Sequence, residues 1–356
     1  MASIKQQPTS FCFSSYIEDI VFSTEDDSGV LCLYIVAGGV RTNIFTETMF
    51  AGKDKTVTLS DLPSLVDAYA HRYGELTLDC SFTDSVSTVS IGPVTILFSR
   101  ADIGVGVDDT TAMTFVRHHF LTILNGEKLT ADGRTELLSA YGCSSVTAIA
   151  LVQHPSGTIE TLTADFAAST TQGNISDFDV SPSRISSLLG LSEGQLISYT
   201  IEAGERRQDF RLVTDEMPPA PSLLFVNSFG CEEFLHCVGT HKKESKYDRS
   251  SARFMGRLRN YRVTEDRQFT ANTGWLTTAM ADWADDLFRA ESVCLWVNGQ
   301  RGREVVLSDS KSEITNEDDH LPAFEFTYTY AQRIHNVMQP SRAGRIFDNT
   351  FDRTFN

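Results

Sequence analysis

The chain has no run approaching the ~20 consecutive apolar residues needed to cross a bilayer, which excludes a helical membrane span. Its first residues, Met1-Ala2-Ser3-Ile4-Lys5-Gln6-Gln7-Pro8, lack the basic-then-apolar layout of a signal peptide, so residence in a cytoplasm is expected. Cysteine is sparse: seven residues, an odd number, lie scattered without framework spacing, which excludes a disulfide scaffold and points to buried free thiols. Cations are also short, with 30 Lys+Arg against 47 Asp+Glu and a net charge of −17. Such a balance repels nucleic acid and anionic lipid and suits a basic protein partner.

Catalytic signatures are missing as well. The sequence has no Gly-x-Ser-x-Gly elbow, no His-Glu-x-x-His pair and no Cys–His signature. Ile103-Gly104-Val105-Gly106-Val107 lacks a third spaced glycine and runs into Asp108-Asp109, which would repel phosphate, so a turn is expected. Asp26-Asp27, Asp108-Asp109 and Asp318-Asp319 lack EF-hand spacing. Between Cys231 and His241 two Cys and two His gather, but on a strand the two thiols would stand roughly 20 Å apart, too far for one tetrahedral ion. No enzyme activity, cofactor or metal is therefore expected. A glycan hydrolase needing only two carboxylates stays open as a third reading.

What the chain does have is strand periodicity. Gly29 to Val36, Leu76 to Phe82 and Val94 to Phe98 alternate in the period of two, with turn residues between them. Leu62, Leu65, Val66 and Tyr69 form one helical face after Ser60-Asp61. About 120 residues later the plan returns: strands at 146–152 and 157–162, a helix with Ile185, Leu188 and Leu189 after Ser181, then strands at 195–201 and 209–213. Two similar β-domains in tandem are expected. Residues 111–142 between them read as a partly helical connector, with Thr130 to Leu138 as a capped helical turn.

The prolines of Met217-Pro218-Pro219-Ala220-Pro221 mark a boundary. Beyond it, strands alternate with a helix over 273–289 whose stripe is Leu276, Met280, Trp283, Ala284 and Leu287, with Asp282, Asp285 and Asp286 facing away. The fold class is thus mainly β with a few helices: two tandem sandwich- or barrel-like domains plus a C-terminal α+β or β-sandwich domain. The expected boundaries are 1–110, 111–142, 143–217, 218–340 and a C-terminal arm at 341–356.

Two segments stand out as contact candidates. A basic band runs from His241 through Arg253, Arg257, Arg259 and Arg262, interleaved with Tyr247, Phe254 and Tyr261. It is either a solvated face or a dock for the acidic face of a neighbouring subunit. In the last residues Phe347, Phe351 and Phe355 recur every four positions, packing either on their own domain or into pockets of another subunit.

Asn227-Ser228-Phe229-Gly230-Cys231, Thr273-Gly274-Trp275-Leu276, Tyr330-Ala331-Gln332-Arg333 and Gly344-Arg345-Ile346-Phe347-Asp348-Asn349-Thr350-Phe351-Asp352 resemble segments of tail-module virion proteins from phages and prophages of gut Bacteroidetes. The resemblance covers mainly residues 220–356. It implies a structural tail or baseplate protein, similar to distal tail proteins, that forms homo-oligomeric rings and meets other tail proteins. It implies residence in the virion after synthesis in the bacterial host. Neither nucleic acid nor membrane insertion is expected; host-surface contact by a receptor- or carbohydrate-binding appendage is the alternative.

Overall fold

A computed structural model describes residues 1–104, 110–213, 220–310 and 321–331. The first unit contains β1 (Ser3–Gln6), β2 (Phe11–Phe13), β3 (Ile20–Ser23), β4 (Ser28–Ala37), β5 (Val40–Phe50), β6 (Thr56–Leu59), α1 (Leu62–Tyr73), β7 (Glu75–Thr83), β8 (Thr88–Ser90) and β9 (Val94–Leu97). Its larger sheet runs β2-β9-β7-β4-β5, with β8 beside β7, and its smaller one β1-β3-β6. Alternation explains the packing: Leu31, Leu33 and Ile35 on β4 and Leu76, Leu78 and Cys80 on β7 turn inward. They meet Ile20 and Phe22 of the smaller sheet and Leu62, Val66 and Ala70 of α1 in one core.

After α2 (Ala112–His118) the second unit contains β10 (Lys128–Thr130), β11 (Leu137–Tyr141), β12 (Ser145–Gln153), β13 (Ile159–Ala167), β14 (Thr170–Gln172), β15 (Ile175–Asp179), α3 (Pro182–Leu188), β16 (Gln195–Ala203) and β17 (Arg206–Leu212). Its sheets run β10-β17-β16-β12-β13 and β11-β15-β14. Strand for strand, the five-membered order matches that of the first unit. In both, a short first strand pairs in parallel with the last, the long hairpin forms the far edge, and a helix precedes the strand beside it.

Part of the expected connector therefore belongs to the second unit, since β10 and β11 lie within 111–142. The capped helical turn expected over Thr130 to Leu138 is instead a strand end, a turn and a strand. Gly133 sits at a φ of 77°, closing the Asp132-Gly133 turn, and Leu137–Tyr141 is held extended by pairing to β15. Ser181 makes no side-chain cap on α3; its Oγ accepts from the Glu136 N–H at 3.0 Å, tying the helix to the loop before β11.

The third unit is a sheet of order β19-β18-β22-β23-β24-β21-β20 with one helix against it. Its elements are β18 (Ser222–Val226), β19 (Glu232–His236), β20 (His241–Phe254), β21 (Arg257–Asn272), α4 (Thr278–Arg289), β22 (Val293–Val297), β23 (Gln300–Ser310) and β24 (Glu325–Tyr330). The Thr277 hydroxyl caps α4 by accepting from the Met280 N–H at 3.2 Å, so the helix starts later than the expected 273. The stripe Met280, Trp283, Ala284 and Leu287 is buried, together with Leu276 just ahead of the helix. Asp286 departs from the expected solvent face. It is buried because Ser228 supplies both its hydroxyl and its N–H to the carboxylate.

The three units share a junction. Phe13 of β2, Phe115 of α2 and Phe229 from the β18–β19 loop cluster with centroids 5.5–5.9 Å apart, Phe115 stacked on Phe229 and Phe13 edge-on or tilted to both. Beside them Lys128 of β10 donates to Glu136 Oε2 at 2.7 Å and to the Phe234 carbonyl at 2.9 Å, and its Nζ lies 4.5 Å from the centre of the Trp283 ring. Trp283 Nε1 donates to Glu233, which also accepts from Asn227 Nδ2 at 3.0 Å. This buried polar cluster joins the second unit to the third.

Candidate subunit-contact arm

β20 and β21 outgrow their sheet. β24 pairs β21 only from Gln268 to Asn272, so Ser245 to Phe254 and Arg257 to Arg267 pair only with each other among the described residues. At about 3.3 Å per residue, that two-stranded ribbon projects roughly 33 Å. Ribbons of this kind are marginal in isolation and need a third partner or a packed face.

The cross-strand register sorts the side chains. Arg257, Arg259 and Arg262 share one face with Lys246 and Phe254; Arg253 lies on the other with Leu258, Val263 and Tyr247. An irregularity at Ser250/Ser251 leaves Tyr261 as the extra residue. Arg249 lies over the Tyr247 ring, 5.3 Å from its centre, and Arg267 pairs with Glu265 at 2.7 Å. The tip is open: Met255 is 88% exposed, Tyr261 73%, Leu258 68% and Phe254 62%. The tip thus combines an exposed apolar patch with interleaved guanidinium groups.

The turn carries a second signal. Met255 and Gly256 have φ of 51° and 77°, the two-residue geometry that asks for Asn-Gly. The same unit uses that preferred pair at Asn298-Gly299, with φ of 53° and 73°, between β22 and β23. A left-handed methionine costs roughly 1 kcal/mol, a strain that fits a site where the side chain itself is wanted. Met255→Asn is expected to slow amide exchange in the ribbon about fivefold. Faster exchange in the variant would contradict the strain.

Of the residues singled out by sequence, Arg253, Arg257, Arg259 and Arg262 are brought onto this one ribbon, on two faces. Phe347, Phe351 and Phe355 lie outside the described residues, as do Val105 to Asp109 and the prolines 218 and 219. Sequence reasoning missed Met255, Leu258 and Val263. The signal available was two long alternating runs joined by a residue pair ending in glycine.

The cysteine–histidine segment is an ordinary strand with flanking loops. Cys231 and Cys237 are buried free thiols, and among the described residues no group of His, Cys, Asp and Glu is placed to hold a metal. A cleft of about 640 Å³ where the units meet is lined by His71, Glu75, Asp177, Cys231 and Glu232. Burial pushes the Cys231 thiol far up, a poor nucleophile in that state, and Glu75 accepts from Tyr141 Oη at 3.0 Å and Asn174 Nδ2 at 2.9 Å.

No protein-family model matches the sequence, and no curated protein is similar to it. Among solved structures, the fibronectin(III)-like modules of Clostridium thermocellum CbhA align at 9% identity over 61% of this chain and 98% of that one, with a TM-score of 0.17. The N-terminal four Ig domains of Dscam1 isoform 4.44 align at 8% identity over 76% and 74%, with a TM-score of 0.19. Scores this low carry no argument. The mostly β, multi-sheet fold rests on the strand pairings themselves.

Proposed function

We propose that the protein is a non-enzymatic structural component of a phage tail or baseplate, resident in the virion and similar to distal tail proteins, that assembles with copies of itself. The β20–β21 ribbon is the contact on which assembly depends, and the C-terminal segment with Phe347, Phe351 and Phe355 is an auxiliary one that does not hold copies together by itself. The observation that carries the reading is the ribbon: a projecting hairpin with an apolar tip, unsupported among the described residues. Its charge adds support, since residues 241–272 hold nine Lys/Arg against four Asp/Glu in a chain of net −17. The resemblance of residues 220–356 to tail-module proteins supplies the setting, in which other tail proteins are further partners.

Replacing residues 246–266 by an Asn-Gly turn between the paired Ser245 and Arg267 removes the ribbon and leaves the sheet. Native mass measurement is expected to give an oligomer for the full chain and a monomer for the truncated one, whose circular dichroism falls only by the share of the strand residues removed. A monomeric full chain at every concentration, or a truncated chain that still assembles, would overturn the reading. Trp275, 74% exposed, favours a second reading as a receptor- or carbohydrate-binding appendage. Glycan-induced fluorescence change, abolished in Trp275→Ala, would support it.

A further inference from the structure

A projecting ribbon needs a surface to meet, and exposed sheet edges are the places where added strands pair. In the two repeated units the equivalent edges are β5 and β13. β5 carries Arg41, and its pairing to β4 is broken by an irregularity at Leu33/Tyr34. β13 pairs with β12 through nine residues without a register shift, and no Lys, Arg or Pro guards it. Its exposed side chains are strand formers and acids: Ile159, Thr161, Thr163, Glu160 and Asp165. An edge so long and regular, guarded only by two acids, invites pairing with a basic strand.

The charge around it is equally one-sided. Between Arg134 and Arg184 there is no Lys or Arg, while Glu160, Asp165, Asp177 and Asp179 fall within that span. Glu160 Oε2 lies 2.9 Å from His154 Nε2, and Asp165 accepts from Thr147 Oγ1 at 2.6 Å; among the described residues neither acid faces a Lys or Arg ion pair. The ribbon offers the complement: one face carries Arg257, Arg259, Arg262 and Lys246 beside Asp248 and Asp266, and among the described residues its backbone before Gln268 is unpaired along both outer edges.

We propose that the ribbon of one protomer docks on the β13 edge of a second copy of this chain, adding strands to its sheet. The face of Arg257, Arg259 and Arg262 lies on the side of Asp165 and the face of Arg249 and Arg253 on the side of Glu160, since the unbroken pairing of β13 puts these two acids on opposite faces. The proposal rests on the self-assembly reading above. Donor and acceptor surfaces differ, so the contact is head-to-tail: repetition closes a ring if the rotation per subunit allows and otherwise extends a filament.

The test uses the full chain, the ribbon-truncated chain and Glu160→Lys/Asp165→Lys. Both substituted residues are exposed, and circular dichroism checks that the fold is kept. The double variant is expected to self-associate at least about tenfold more weakly than the full chain at 0.1 M salt. Mixed with the truncated chain it is expected to form a 1:1 complex, because one supplies only the ribbon and the other only the edge. A double variant that assembles like the full chain beside a monomeric truncated chain overturns the β13 assignment and leaves the arm reading standing. A monomeric full chain overturns both. So does a ribbon-dependent shift on duplex DNA without self-association.

Discussion

Lys128→Met is expected to lower the unfolding free energy of the joined second and third units by about 3–5 kcal/mol, the usual cost of stranding one member of a buried ion pair. The ammonium is enclosed by Glu136, the Phe234 carbonyl and the Trp283 ring. Burial would raise the Glu136 carboxyl, but Lys128, assisted by His236, outweighs it and holds the group at about 2. A depressed carboxyl contributes stability that is complete above its unfolded pKa of about 4.3 and is lost as pH falls through the folded value. In the full chain that stability disappears as acid protonates Glu136, so the acid limb of a stability–pH curve should flatten in the variant. Glu233 has the opposite sign: burial raises its pKa, only partly offset by Lys128, so its ionisation costs stability as pH rises. Glu233→Gln should then be neutral or stabilising at pH 7. Urea titrations followed by tryptophan fluorescence measure all three, and a Lys128→Met variant within 1 kcal/mol of the parent would sink the account.

Asn227→Ala is expected to cost about 3 kcal/mol or more, by stranding several buried partners at once. Its Oδ1 accepts from the Phe229 and Cys231 N–H groups at 2.9 and 3.0 Å, while Nδ2 donates to the Leu121 carbonyl at 2.8 Å and to Glu233. This one amide shapes the loop that delivers Phe229 to the three-unit junction and fastens that loop to the segment after α2. Asn227→Asp should be no milder, since it replaces the donor to Leu121 with an acceptor and sets a second carboxylate against Glu233. Thermal unfolding of both variants checks this, and a shift under about 2 °C in either would contradict it.

Strand periodicity was the legible part of the fold. Alternation at Leu31-Leu33-Ile35 and Leu76-Leu78-Cys80, and the stripe Met280-Trp283-Leu287, each correspond to a buried face because the pattern is local and unambiguous. The span 130–138 was misread because its Leu137-Leu138 pair looks helical alone; only the strand β15, some forty residues away, holds it extended. Asp286 was misread for a similar reason, since its partner Ser228 comes from a loop 58 residues distant. Of the candidate arm, the arginines were legible as a basic run, whereas their division between two faces depends on register and on the irregularity at Ser250/Ser251. The β13 edge was invisible, because which strand ends a sheet is a property of topology that local sequence does not encode.

A strand order used twice in one chain also changes how an assembly would look from outside. A closed circle of n chains joined ribbon to β13 would contain 2n near-equivalent units, alternately one whose outer strand is covered and one whose outer strand is bare. The bare β5 edges would then stand at regular angular intervals, n of them, like teeth on a gear. A neighbouring layer with matching rotational symmetry could register on them without touching the contacts that close the circle.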